Sequence, residues 1–311
     1  MNPHTHPATT RPRLEPRGTW TALVTPFGAG AEGALPPVDF PALDALVDAQ
    51  VAGGVDVLVP CGTTGESPTL SHEEHDSVVA RVVARAAGRL PVVAGAGSNS
   101  TGEALRLVAS AQASGADGVL VVCPYYNRPS QRMLLAHFAA LARSTTLPIV
   151  LYNIPARTGV NLEPATVARL AAEHENIVAV KEAAGSVDQV ARIRELSDIA
   201  ILSGDDALTL ALFAVGGSGV ISVASNVVPQ HVAAMVRAAL AGDFAAACAE
   251  NARLLPLFRG LFVEPNPVPV KAALALTGRG NGVVREPLLP ALPETLASLR
   301  ELLTALDVPL V

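Results

Sequence analysis

The chain has 311 residues, 50% of them hydrophobic and only 16% charged, with a net charge of −6. This size and apolar share support a large core, and fit one barrel of about 250 residues with an appendage. A net acidic chain without a basic stripe makes nucleic acid a poor partner, and Cys61, Cys123 and Cys248 are too widely spaced for a metal motif or a disulfide framework.

Residues 1–18 are rich in Pro, Arg and Thr and hold no apolar run. They read as a disordered tail rather than a signal peptide. Strand-like residues 19–25 follow, then helical spacing over 39–52. Strand 55–60 leads to helix 71–87, which Ser71-x-x-Glu74 opens as a capping box. Strand 91–95 precedes helix 100–114, strand 118–123 precedes helix 130–143, and strand 148–152 precedes helix 164–172. Strands 177–181, 199–203 and 219–223 pair in the same way with helices 187–196, 206–215 and 232–241. The apolar window 207–225 is broken by Gly216-Gly217-Ser218-Gly219 and reads as helix, turn and strand, not as a membrane span. Beyond residue 242 the alternation stops, and 244–258, 269–276 and 294–306 look helical.

Eight short strand-helix pairs predict a (β/α)8 TIM barrel over 19–242, with a small C-terminal helical extension over 243–311. A doubly wound open sheet is the competing architecture, but no G-x-G-x-x-G follows the first strand. The expectation is a cytoplasmic protein without a membrane segment, its cysteines reduced.

A barrel of this kind carries its active site at the carboxyl ends of the strands. There the sequence places Cys61-Gly-Thr-Thr-Gly-Glu-Ser67, Pro124-Tyr-Tyr-Asn-Arg-Pro129, Tyr152-Asn-Ile-Pro-Ala-Arg-Thr-Gly159, Lys181 and Gly204-Asp-Asp206. All three tyrosines of the chain, Tyr125, Tyr126 and Tyr152, fall on this rim. Only two of the 22 basic residues are lysines, Lys181 and Lys271. A lysine retained at the end of a buried strand either snorkels to solvent or supplies an amine that can lose its proton and attack a carbonyl, which arginine cannot do. Thr63 and Thr64, between two glycines, form either an ordinary turn or a carboxylate-holding loop. Arg157 is either a surface residue or a fork for a carboxylate. His72 and His75 sit three apart, but HEEH is not the zinc motif H-E-x-x-H, so no metal is expected. Asp205 and Asp206 read as helix N-caps. Gly216–Gly219 lacks the GK[ST] of a phosphate loop. Lys271 reads as structural and away from the rim.

The motifs GTTGES (62–67), PYYNRPS (124–130), LYNIPARTG (151–159), VKEA (180–183), LSGDD (202–206), GVISV (219–223) and FVEPNPVPVK (262–271) resemble the 4-hydroxy-tetrahydrodipicolinate synthase family. That family belongs to the pyruvate-dependent class I aldolases, which include N-acetylneuraminate lyase. The likeness runs from about residue 18 to the C-terminal helices. The GTTGE loop and the lysine are common to the superfamily, whereas PYYNRPS, YNIPARTG and EPNPVPVK belong to the synthase branch. The resemblance implies condensation of pyruvate with aspartate 4-semialdehyde, through a covalent imine on Lys181 and without an added cofactor. It gives Tyr152 a proton relay, with Thr63 linking it to Tyr126 from a neighbouring subunit of a homotetramer, a dimer of dimers. It assigns the pyruvate carboxylate to Thr64, the second carboxylate to Arg157, and carbonyls near the imine to Gly204 and Ile221. It also places a regulatory lysine at Ser67, His72, His75, Asn99, Glu103 and Tyr125, with Pro68 a departure from the smaller residue common there. A sibling aldolase acting on a 2-keto-3-deoxy sugar acid or related keto acid, and a non-catalytic barrel sensing pyruvate or lysine, are the alternative readings.

Overall fold

The computed structural model describes residues 14–30 and 34–311. The chain alternates strand and helix in the order β1 (Gly18–Ala22), α1 (Phe40–Gly53), β2 (Val57–Val59), α2 (His72–Ala86), β3 (Val93–Gly95), α3 (Thr101–Ala113), β4 (Gly118–Val122), α4 (Gln131–Ser144) and β5 (Ile149–Asn153). The order continues through α5 (Pro155–Thr158), α6 (Pro164–Glu173), β6 (Ile177–Glu182), α7 (Val187–Leu196), β7 (Ala200–Ser203), α8 (Thr209–Phe213), β8 (Gly219–Ser222) and α9 (Pro229–Leu240). Three helices end it: α10 (Phe244–Gly260), α11 (Val268–Leu276) and α12 (Pro293–Ala305).

The eight strands are parallel neighbours in the order β2-β1-β8-β7-β6-β5-β4-β3. A parallel bridge between Leu58 and Val92 joins the two ends, so the sheet is a closed TIM barrel and not the open competitor. Side chains alternate along each strand. One set, with Trp20, Val57, Val93, Leu120, Val150, Ala179, Leu202 and Ile221, fills the barrel interior. The other set, including Leu58, Val119, Leu151 and Val180, packs outward against the helices. That alternation aims Tyr152 and Lys181 inward, two residues beyond Val150 and Ala179.

Helix starts follow local chemistry. The Ser71 side chain accepts from Glu74 N, and the Glu74 carboxylate accepts from Ser71 N, completing the capping box. Of the expected tail, residues 1–13 lie outside the described residues. Residues 14–18 are placed: Leu14 packs against the interior cluster, Trp20 Nε1 donates to the Arg17 carbonyl at 2.9 Å, and Gly18 already belongs to β1. Among the described residues, no helix is long and apolar enough to cross a membrane.

Candidate active site

The site begins with two ladder partners. Tyr152 on β5 pairs with Lys181 on β6. Both are almost fully buried, at 5% and 6% exposure. The Lys181 Nζ atom lies 4.3 Å from the centroid of the Tyr152 ring. Burial penalises the ammonium form and brings Lys181 down from 10.5 to about 8, with the positive charge of Arg157 acting the same way and the Asp206 carboxylate opposing it. Burial pushes the Tyr152 phenol up to about 12, against the opposing effects of Arg157 and a hydrogen bond with Thr63. The interior therefore holds an amine that is readily deprotonated beside a phenol that keeps its proton.

Gly204 follows β7 directly against the lysine. A Cβ there would lie 3.1 Å from Lys181 Cε and 2.6 Å from Ala183 Cβ, so only glycine leaves the lysine its course. Ile221 on β8 faces the interior and is buried. Arg157 lies on the short helix α5, which residue spacing did not predict.

The loop after β2 is bounded by two non-glycine residues on left-handed backbone, Cys61 at φ 55° and Glu66 at φ 53°. Such backbone persists only where its surroundings hold it. Here the support comes from the C-terminal extension, from α11 and the segments on either side of it. The Lys271 ammonium donates to Glu66 Oε1 at 2.6 Å and to the Thr25 carbonyl at 2.9 Å. The Arg285 backbone N–H donates to Glu66 Oε2 at 3.1 Å, while its guanidinium forks onto Glu74. Lys271 and Arg285 both stack on the Phe27 ring. Asn266 Nδ2 donates to Thr64 Oγ1 at 2.9 Å. The extension thus reaches the rim, which corrects the expectation that Lys271 lies away from it. Lys271 lies in the first turns of α11, and its four-carbon stem carries the ammonium from the helix to Glu66 in the loop.

Asp206 also departs from its expected role. Asp205 Oδ1 accepts from Ala207 N and Leu208 N in the turn ahead of α8, whose N-cap position is Leu208 with no side-chain cap, so Asp205 does not cap the helix either. Asp206 instead crosses to the end of β8, where its Oδ2 accepts from Val223 N at 2.9 Å and Ala224 N at 3.0 Å. Helix α8 accordingly starts at Thr209 and not at 206. Beside the lysine, Glu182 is buried and accepts from Asn153 Nδ2, Gln189 Nε2 and Ala184 N, which ties the ends of β5 and β6 together. Burial raises its carboxyl above the ordinary range.

A cavity of about 410 Å³ opens beside Tyr152; Lys181, Thr64, Gly204 and Ile221 are not among the residues that line it. Thr63, Tyr152 and Arg157 line it together with Ser67, Pro68, His72, His75, Glu103 and Tyr125. Within it His72 Nε2 pairs with Glu103 at 3.0 Å, and His75 Nε2 donates to the Gly95 carbonyl at 3.0 Å. Asn99 does not line the cavity; its carbonyl accepts from Asn127 at 2.8 Å. Tyr126 does not line it either, and stands 89% exposed on left-handed backbone at φ 74°. No group of three or more potential metal ligands occurs among the described residues.

Sequence reasoning missed Asn266, Asp206 as a crossing carboxylate, Glu182, and the Glu66–Lys271–Arg285 cluster. Lys271 carried a signal in its rarity as a lysine, and Glu66, Glu182, Asp206 and Asn266 stood within the motifs without a role of this kind read for them, whereas Arg285 carried none.

Known proteins share both the sequence and this architecture. The 4-hydroxy-tetrahydrodipicolinate synthase of Sorangium cellulosum (strain So ce56) is 53% identical over 292 residues, covering 93% of this chain and 96% of its own. The crystal structure of dihydrodipicolinate synthase from Aquifex aeolicus matches with a TM-score of 0.91 at 47% identity, covering 94% of this chain and 99% of that one. A structure described as a monomeric dihydrodipicolinate synthase variant matches with a TM-score of 0.91 at 43% identity, covering 94% and 97%. Residues 15–306 match the Dihydrodipicolinate synthetase family. With that match over nearly the whole chain, and relatives this similar, the chain belongs to the dihydrodipicolinate synthetase family.

Proposed function

We propose that this protein condenses pyruvate with aspartate 4-semialdehyde to give 4-hydroxy-tetrahydrodipicolinate, a step towards diaminopimelate and lysine. The observation that carries this reading is a buried lysine, lowered to about 8 by burial, whose Nζ lies 4.3 Å from the ring centroid of the buried Tyr152. A neutral Lys181 amine attacks C2 of pyruvate. The carbinolamine loses water to give a protonated imine, with no added cofactor. Removal of a C3 proton gives the enamine, whose C3 attacks the aldehyde carbon. The substrate amino group then attacks C2, closes the ring and releases Lys181 as a free amine. Tyr152 shuttles protons in these steps, and Thr63 orients its phenol.

Thr64 holds the pyruvate carboxylate, and Arg157 forks onto the carboxylate of the aldehyde substrate. Gly204 and Ile221 offer backbone carbonyls beside the imine. Tyr126, exposed on its own subunit, enters the site of a neighbour in a homotetramer built as a dimer of dimers. Lysine, as a regulator, occupies the outer part of the cavity among Ser67, His72, His75, Glu103 and Tyr125, near Asn99. Three free cysteines fit the reducing cytoplasm.

Borohydride trapping with pyruvate, followed by peptide mapping, tests the reading. The expected adduct is on Lys181. An unchanged protein mass would overturn it in favour of a non-catalytic barrel. A coupled assay with aspartate semialdehyde, beside candidate 2-keto-3-deoxy sugar acids, separates the synthase from a sibling aldolase.

A further inference from the structure

Asn266 touches both groups that the proposed reaction assigns to substrate carboxylates. Its Nδ2 donates to Thr64 Oγ1 at 2.9 Å, and its backbone carbonyl accepts from Arg157 Nη2 at 3.5 Å. Asn266 and Thr64 are 202 positions apart in sequence. They are nonetheless buried together, at 6% and 3% exposure.

A hydroxyl has one proton and two lone pairs. The Asn266 amide occupies one of the Thr64 lone pairs, which leaves the Thr64 proton to be given elsewhere. Among the described residues, no protein acceptor takes it. An alanine or an apolar residue at 266 would leave that hydroxyl free to turn. A carboxylate there would capture its proton. Asn266 Oδ1 itself is buried with no partner among the described residues.

Thr64 is held on its loop independently of this contact. Two residues on, Glu66 is clamped by Lys271 and by the Arg285 backbone. The loop can therefore keep its place when the Asn266 amide is altered.

We propose that Asn266, supplied by the C-terminal extension, is a positioning residue that aims the Thr64 hydroxyl proton at the carboxylate of the bound keto acid. This rests on the reading of Thr64 as the pyruvate carboxylate holder. Asn266 acts through Thr64, so its effect falls on capture of the keto acid and vanishes when Thr64 has no hydroxyl.

The test uses Asn266→Ala, the near-isosteric Asn266→Asp, Thr64→Val and the combined Thr64→Val/Asn266→Ala chain. Half-saturating pyruvate is read from borohydride trapping at Lys181 by mass spectrometry, and the fold is checked by thermal unfolding. Asn266→Ala is expected to raise half-saturating pyruvate about tenfold, the scale of a hydrogen bond to a charged group, with the same extent of trapping at saturation. Asn266→Asp is expected to raise it further while leaving the unfolding transition in place, and it carries the test if the alanine variant does not fold. In the Thr64→Val background, Asn266→Ala is expected to change nothing. An unshifted pyruvate dependence in Asn266→Asp, or an equal added loss in the Thr64→Val background, would overturn the assignment. If the unaltered chain traps no pyruvate at Lys181, the reading of the reaction falls first, and this assignment with it.

Discussion

Lys181 and Tyr152 face each other across one rung of the β5–β6 ladder, and the lysine nitrogen stands over the tyrosine ring, 4.3 Å from its centroid. The ring face and the hydroxyl do different things. The face stabilises a cation, while the hydroxyl moves protons. Tyr152→Phe separates them. It is expected to lower kcat by about 10²–10⁴, the usual worth of a positioned acid-base group. The borohydride adduct on Lys181 should still form, more slowly. Lys181→Arg keeps the charge and removes the usable amine, so both turnover and adduct should vanish. Retained turnover in Lys181→Arg would remove the lysine from the mechanism.

The lowered lysine fixes a pH dependence. With Lys181 at about 8, kcat/KM for pyruvate should rise about tenfold per pH unit below 8 and level above it. Asp206 is the carboxylate that holds the lysine up. Asp206→Asn removes that charge, so the rising limb should move to lower pH. A limb that stays in place or moves up would exclude Asp206 as an electrostatic partner. The same shift enters folding. Between about pH 8 and 10.5 the unfolded lysine holds a proton that the folded one has lost. Stability therefore rises with pH through that window, by linkage. Urea unfolding at pH 8 and pH 10 reads the sign.

Lys271 and Glu66 form a buried pair at 2.6 Å, both about 3% exposed. Removing one partner of such a pair leaves a charge without its counter-ion. Lys271→Met is therefore expected to cost about 3–5 kcal/mol of stability. Glu66→Gln in the same chain should return part of that, because the stranded carboxylate is gone. Chemical denaturation of the single and the double variant measures it, and a stable single variant would show that Glu66 finds another donor. Because Glu66 anchors the Thr63–Thr64 loop, the single variant should also weaken pyruvate capture.

The repeating strand-helix pattern was visible in the sequence because barrel strands are buried on both faces and their helices on one. Those burial demands leave periodic runs such as 118–123 and 177–181. The reactive pair was visible for a different reason, the scarcity of lysine and tyrosine and their place at strand ends. The supports were not legible. Asp206 looks like a helix cap because it precedes an apolar helix, and nothing local says that its oxygen reaches Val223 and Ala224. Asn266 and Thr64 meet only because the extension folds back over the rim, at a separation of 202 residues. Closure of the sheet through Leu58 and Val92 is likewise a tertiary event. Periodicity reports each element's own burial, and these contacts belong to no single element.

The outer cavity offers the last prediction. Glu103 is a carboxylate paired with His72 at 3.0 Å and with Arg106 at 3.1 Å, and it lines the same space as Tyr152 and Arg157. A dibasic amino acid needs a carboxylate for its side-chain ammonium. An occupant here would press on the rim from which the substrates enter. Millimolar L-lysine is accordingly expected to lower the initial rate in the coupled assay. Glu103→Gln removes the charge and keeps the shape, so it should raise the half-inhibiting concentration about tenfold, the scale of one charge-assisted hydrogen bond. Pro68 stands on the cavity wall, and Pro68→Ala should alter the lysine response without altering half-saturating pyruvate. An uninhibited rate at millimolar lysine would remove regulation from this cavity while leaving the catalytic centre as described.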